Sequence, residues 1–339
     1  MAKRGCTYFG ILLNNKYREA MMKAAISILV LSACLLGSAG WAASDRDITV
    51  ANSGATLHGS LLMPDRQGDV PAVLMIAGSG PTDRDGNSTI LGVKPATLKL
   101  LAEGLAESGI ASLRFDKRGI AASASAMSKE ADLRFTTYVD DAVAWAEFLK
   151  SQPHVRCVYI LGHSEGALIG ALAAARSKVC GYISISGAGF PADEILLRQM
   201  KEHGLPAPLL QSANDIVARL KQGETVADVP PQLAAIFRPG IQPYLISWFA
   251  IDPAVAIAAI PAPVLLLQGT TDIQVSVADA QRLAKAVPRA KLLLLDGVNH
   301  ILKPAPADPQ ANFATYGDPA LPLAPKVVPA ITAFVRTSP

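Results

Sequence analysis

The chain has 339 residues, half of them hydrophobic and 17% charged; that is enough for a large core and argues against a disordered chain. The formal charge of +3 comes from the front, where Lys3, Arg4, Lys16, Arg18 and Lys23 stand against Glu19. Without residues 1–42 the balance is 26 basic against 27 acidic residues, a net of −1, which removes the case for nucleic-acid binding.

In MMKAAISILVLSACLLGSAGWAASD, Lys23 precedes an apolar run from Ala24 to Leu36, with small residues toward Ala42 and Ala43. This reads as a secretory signal over residues 1–42, with Met21 or Met22 as alternative starts. The run is shorter than the roughly 20 residues a membrane span needs. The expected mature protein is therefore periplasmic or secreted, with no membrane span. Leu31-Ser32-Ala33-Cys34 also has the form of a bacterial lipobox, so a lipid anchor on Cys34 is the alternative, and a retained anchor helix the third reading.

From Asp47 to Met63 the spacing of Ile48, Val50, Leu57, Leu61 and Leu62 around Asn52-Ser53-Gly54 predicts an antiparallel hairpin. Short apolar runs at 73–78, 110–115, 157–162, 182–187, 264–269 and 291–297 are then expected as strands. Helical patterns fall near 95–108, 136–150, 165–177, 277–287 and 324–337. Continuous apolar strands alternating with amphipathic helices mean a parallel sheet covered on both faces. The fold class is α/β: a mostly parallel doubly wound sheet with an N-terminal antiparallel hairpin.

The rhythm breaks between Phe190 and Ile260, where helical candidates at 192–203, 208–222 and 231–237 are followed by the apolar patch PYLISWFAI, 243–251. So long an excursion between two strands reads as an inserted helical cap, residues 191–260, on a core made of 43–190 and 261–339. Cys157 and Cys180 begin consecutive predicted strands. They are either small buried hydrophobes or, if those strands are neighbours in an oxidising compartment, a disulfide. Neither their spacing nor any other points to a metal.

LGHSEGALIG, 161–170, sets Gly162-His163-Ser164-Glu165-Gly166 between a strand and a helix. That is the pattern of a nucleophile elbow, whose sharp turn leaves no room for side chains at the flanking glycines. A serine hydroxyl needs a base. Of His58, His154, His163, His203 and His300, only His300 follows the last strand, where the order serine, acid, histidine requires it. The acid belongs after the preceding strand, and LLLQGTTDIQV supplies Asp272; Asp296 is the runner-up. AGSGPTDRDGN, 77–87, follows the first parallel strand. Its charges Asp83, Arg84 and Asp85 are expected to pin the loop through ion pairs with Asp116 to Arg118, or else to form a solvated turn.

These stretches, with FDKRG (115–119), the SW..IDP stretch (247–253) and GVNH (297–300), resemble the bacterial α/β-hydrolase family of carboxylesterases and serine-aminopeptidase-like hydrolases, in order over nearly all of 47–337. The resemblance implies the α/β-hydrolase fold with a helical cap, Ser164 as nucleophile, Asp272 as acid and His300 as base. Two departures stand out. Ala77-Gly78 replaces the His-Gly that opens the oxyanion loop in many relatives, and Ala121 stands where relatives often have glycine. Since backbone N–H groups hold the oxyanion, the expected donors are the amides of Glu165 and Ser79, with Gly80 second to Ser79.

The function expected is hydrolysis of carboxylic esters of small or medium acyl compounds through an acyl-enzyme, with no cofactor or metal. Leu245, Trp248 and Phe249 are the expected acyl pocket. An aminopeptidase or thioester hydrolase could use the same triad. The former would need an acid for a free amino terminus, for which Glu194, Glu202 and Glu224 are candidates. A non-catalytic binding protein on a hydrolase fold is the remaining alternative.

Overall fold

The computed structural model describes residues 44–88 and 92–338. The expected signal segment at 1–42, with Cys34 and the alternative starts, lies outside the described residues. Among the described residues, one sheet of eight strands runs in the order β1-β2-β4-β3-β5-β6-β7-β8. β1 (Ser44–Asn52) and β2 (Ala55–Met63) form the antiparallel hairpin. β2 then pairs antiparallel with β4 (Ala111–Phe115). From β4 onward, β3 (Val70–Ile76), β5 (Val155–His163), β6 (Gly181–Ile185), β7 (Val264–Gly269) and β8 (Lys291–Leu295) are all parallel. This is the mostly parallel sheet with an antiparallel N-terminal hairpin that the sequence predicted.

The helices, in chain order, are α1 (Thr97–Glu107), α2 (Phe135–Lys150) and α3 (Glu165–Arg176). Between β6 and β7 come α4 (Ala192–Glu202), α5 (Ala207–Lys221), α6 (Ala234–Phe237), α7 (Gln242–Phe249) and α8 (Pro253–Ala258). Then follow α9 (Val277–Ala286), α10 (Pro309–Ala314) and α11 (Val327–Thr337).

Period-two alternation divides the strand residues between two cores. Ala72, Leu74 and Ile76 of β3 face one side with Ile160 and Leu266, against α2 and α3. Val73 and Met75 face the other with Leu161 and Leu265, against α1 and α11. Burial on both faces is why β3 reads as an apolar run and why β6 and β7 are apolar but for Ser184 and Gln268, while β4 also buries Ser112 and Arg114. The segment between β6 and β7 contains no strand, and its Leu233, Phe237, Tyr244, Leu245 and Phe249 belong to the same core as α2 and α3.

Because β5 and β6 are neighbours, Cys157 on β5 and Cys180 just before β6 come together as a disulfide, with Cα atoms 6.0 Å apart. No helix among the described residues is long and apolar enough to cross a membrane.

Candidate active site

The parallel strands carry their following loops to one edge of the sheet, the usual place for a ligand crevice in such folds. At the end of β5 the chain turns sharply into α3. Ser164 sits at that turn with φ 57° and ψ −122°, outside the conformations an L-residue ordinarily takes. The turn is that tight because α3 packs directly on the strands: a Cβ on Gly162 would run into the carbonyl of Gly166, and one on Gly166 into that of Ile76. A Cβ on Gly78 would come 3.2 Å from Ser164 Cβ, so the loop after β3 lies against the elbow.

Asp272, in the turn after β7, has a buried side chain held from several directions. Gln274 N (2.8 Å) and Val275 N (2.9 Å) donate to Oδ1, while Gln268 Nε2 (3.2 Å) donates to Oδ2. His300, in the loop after β8, brings Nδ1 to 2.9 Å from Asp272 Oδ2. Burial pushes the Asp272 carboxyl up, but the His300 charge, the His300 hydrogen bond and the two backbone donors outweigh it, so it titrates below the ordinary carboxylate value. An ionised Asp272 can only accept, which places a proton on Nδ1 of His300 and leaves Nε2 free to take one from a nucleophile. Asp296, the runner-up acid, accepts from Thr270 Oγ1 at 3.1 Å instead.

The His300 loop is fixed by Asn299 and His163, for neither of which a holding role was expected from the sequence. Asn299, fully buried, accepts from Lys303 N at 3.0 Å and donates to Thr315 Oγ1 at 2.8 Å. His163, the residue before Ser164, has Nε2 2.8 Å from the His300 carbonyl oxygen, and the two rings are 4.8 Å apart between centroids. Burial, and then the charge of His300, push the His163 pKa down to about 4. The ring is therefore neutral and donates through Nε2 to that carbonyl. Ser164 follows it directly, so the elbow and the His300–Asp272 pair meet at this contact. Of the other histidines, His58 lies on β2, His154 in the turn before β5, and His203 at the end of α4.

The charged motifs after β3 and β4 interlock. Asp116 accepts from Arg84 Nε (3.0 Å), Nη2 (2.8 Å) and backbone N (2.8 Å); Asp85 accepts from Arg114 Nε (3.0 Å). Asp83 instead closes its own turn, accepting from the backbone N–H groups of Asp85 and Asn87. Arg118 reaches Asp141 on α2 at 2.7 Å. Ala121, at the position where glycine is common in relatives, has φ 44°, the left-handed region that glycine enters without strain.

Beside Ser164 lies a cleft of about 100 Å³. Ser79 and Glu165, the expected oxyanion donors, line it with Ser164; Phe190, Ile195, Leu196 and Trp248 supply apolar wall. Of the three residues expected to form the acyl pocket, only Trp248 is there. Leu245 and Phe249 are 4% and 5% exposed and turn into the core shared with α2 and α3, because they lie on the inward face of α7. Glu194, Glu202 and Glu224 are exposed and do not line the cleft. Among the described residues, no three of His, Cys, Asp and Glu gather as a metal site would require.

Comparison with known proteins places these features in a context. A model of the alpha/beta hydrolase family matches residues 73–315. Esterase EstD of Thermotoga maritima is 30% identical over 264 residues, 76% of this chain and 60% of that protein, so the chain spans little more than half of that relative's length. Among solved structures, Est1E from Butyrivibrio proteoclasticus aligns at a TM-score of 0.55 and 19% identity, over 86% of this chain and 99% of its own. The esterase domain of a Rhodothermus marinus protein aligns at 0.52 and 18%, over 87% and 99%. At such identities these two likenesses speak to the fold.

Proposed function

We propose, from the premise that the chain belongs to the alpha/beta hydrolase family, that it is an exported serine esterase. In this reading Ser164 attacks the acyl carbonyl while Nε2 of His300 takes its proton. Asp272 holds the imidazole tautomer and stabilises the imidazolium, and the N–H groups of Ser79 and Glu165 receive the oxyanion. His300 then protonates the leaving alcohol, and water, activated by the same base, releases the acid. The observation that carries the proposal is Ser164 in its strained turn beside the cleft, one residue from the His163 that touches the paired His300 and Asp272.

The relative Esterase EstD supports an ester as substrate. The cleft beside Ser164 is walled by Phe190, Ile195, Leu196 and Trp248, an apolar lining that suits an acyl group. Against an aminopeptidase, the acid among the residues lining the cleft is Glu165, and its carboxylate is already bonded to Lys117 and Tyr244. The Cys157–Cys180 bridge supports export to an oxidising compartment. Mass spectrometry of the mature N-terminus tests that part: a start near Ala43 fits a cleaved signal, and a lipidated Cys34 replaces it by the anchored form.

The activity test is a panel of graded esters, thioesters and aminoacyl anilides on wild type and Ser164→Ala. Short esters should be cleaved and Ser164→Ala should lose about 10³-fold or more while keeping its fold. Undiminished hydrolysis by Ser164→Ala refutes the assignment, as does cleavage of anilides in preference to esters. No turnover and no fluorophosphonate labelling would point to a binding protein.

A further inference from the structure

We propose that Lys117 is a positioning residue that sets both oxyanion donors, an inference resting on the serine-hydrolase reading above. Lys117 is 2% exposed, in the turn after β4, and its ammonium makes two short charge-assisted bonds. It donates to the carbonyl oxygen of Gly78 at 2.6 Å and to Oε2 of Glu165 at 2.6 Å. Glu165 Oε1 accepts from Tyr244 OH of α7 at 2.5 Å, and the ammonium lies 5.1 Å from the centre of the Tyr138 ring. One buried cation thus joins the loop after β3, the nucleophile elbow and, through Glu165, the helical segment beside the cleft.

The geometry of the peptide group gives that bond a consequence. The carbonyl of Gly78 and the N–H of Ser79 belong to one planar trans unit and point in opposite directions. Holding the Gly78 oxygen on Lys117 therefore fixes where the Ser79 N–H points, away from the ammonium. The loop's own bonds hold the peptide units that follow: Thr82 Oγ1 donates to the Ser79 carbonyl at 2.8 Å and Thr82 N to that of Gly80 at 2.9 Å, while Ser79 and Gly80 are exposed and Gly80, at φ 69°, has open space where a side chain would be. A cation on the carbonyl also polarises the peptide, which makes its N–H the better donor.

The second donor, the Glu165 N–H, stands at the start of α3, where the helix end favours negative charge. A bare Glu165 carboxylate next to it would oppose an oxyanion. Lys117 offsets that charge and anchors the side chain, so the donor keeps its orientation and the site its positive field.

Lys117→Met alone would leave a buried carboxylate without its cation and endanger folding. The decisive variant is Lys117→Met/Glu165→Gln, which removes both charges together, compared with wild type by near-UV circular dichroism, active-site titration with a fluorophosphonate, and ester kinetics. We expect a folded double variant whose kcat per titrated site falls about 10- to 100-fold, with KM within about threefold; removing an oxyanion donor outright costs about 10²- to 10³-fold. Affinity for an alkyl boronic acid, which gives an anionic tetrahedral adduct on a serine, should fall by the same factor as kcat/KM. A merely structural role would lower the number of titrated sites and leave kcat per site unchanged; that result overturns the proposal, as does a folded variant within about twofold of wild type. A wild type that neither turns over esters nor takes the fluorophosphonate overturns the hydrolase reading itself, and this one with it.

Discussion

His163→Gln should make the protein less sensitive to mild acid. His163 is 9% exposed, and its ring donates to the His300 carbonyl 2.8 Å away. Burial first, and the charge of His300 second, push its pKa from the ordinary 6.5 to about 4; the hydrogen bond and Asp272 pull the other way without prevailing. In the unfolded chain the same ring titrates near 6.5. Between those values the unfolded state binds a proton that the native state does not, so stability falls as pH falls across that window. A gap between 6.5 and about 4 corresponds to roughly 3 kcal/mol. The glutamine side chain in the variant would place an amide nitrogen near the position of Nε2 and keep the donor without the titration. Asp272, whose folded pKa lies below its ordinary 3.8, contributes stability present above that value and lost at lower pH, so its effect falls below the His163 window. Urea unfolding of both proteins between pH 7.5 and 4 is the assay. The wild type should lose roughly 3 kcal/mol more than His163→Gln between pH 6.5 and 4, with the two within about 1 kcal/mol at pH 7.5. Parallel curves over the whole range would refute the argument, because they would mean that His163 protonates in the native state as readily as in the unfolded chain.

Asp272→Asn keeps the shape of the turn but presents His300 with an amide that can favour the wrong tautomer; esterase kcat should drop about 10³- to 10⁴-fold, with melting lowered because the stability contributed by the ionised carboxylate is lost, and a loss of kcat below about tenfold in the folded variant would move the acid elsewhere. Trp248→Ala removes a cleft wall that stacks on Phe135 at 5.5 Å between centroids. The kcat/KM ratio of octanoyl to butyryl esters should rise at least about tenfold, since each newly accommodated methylene is worth up to about 0.8 kcal/mol; a constant ratio would place the acyl group in another part of the site. Ala121→Gly should stabilise the protein by up to about 1 kcal/mol in urea unfolding, the relief of left-handed strain exceeding glycine's entropy cost. A loss of stability there would mean that the Ala121 methyl contributes packing that outweighs the strain.

What was legible in the sequence follows from which physical constraints act locally. A strand buried on both faces is mostly apolar, so the strands of the parallel sheet show themselves as short runs such as VLMI and VLLL. The short helices α8 and α10 escaped, although each has a local signal: Asp252-Pro253 and Asp308-Pro309 combine a capping carboxylate, 2.8 Å from Ala254 N and from Ala311 N, with proline in the first turn. Six residues are too few for a 3.6-residue period to emerge. The candidate triad was legible because chain order and strand ends suffice to nominate its members. The pocket was not, because apolar character says only that a side chain is buried. At 3.6 residues per turn, Trp248 and Phe249 project about 100° apart on α7, so one meets the cleft while the other meets the core.

The acidic and basic clusters sit between these cases. DRD after β3 and DKR after β4 leave adjacent parallel strands, with Met75 opposite Arg114, at the same edge of the sheet. Opposite charges on both loops made a tie between them foreseeable, and the Arg84–Asp116 pair is one. Which cation takes which anion depends on burial that no single loop contains. Asp85 takes Arg114 from within β4, and Arg118 turns away to Asp141 on α2. Lys117 is left facing the elbow. There the residue after Ser164 is a glutamate that α3 carries into the interior, where a carboxylate needs a counter-charge. The ion pair is thus a requirement of the Ser164-Glu165 dipeptide as folded. Because Lys117 also holds the Gly78 carbonyl, the loop that meets that requirement is drawn against the cleft.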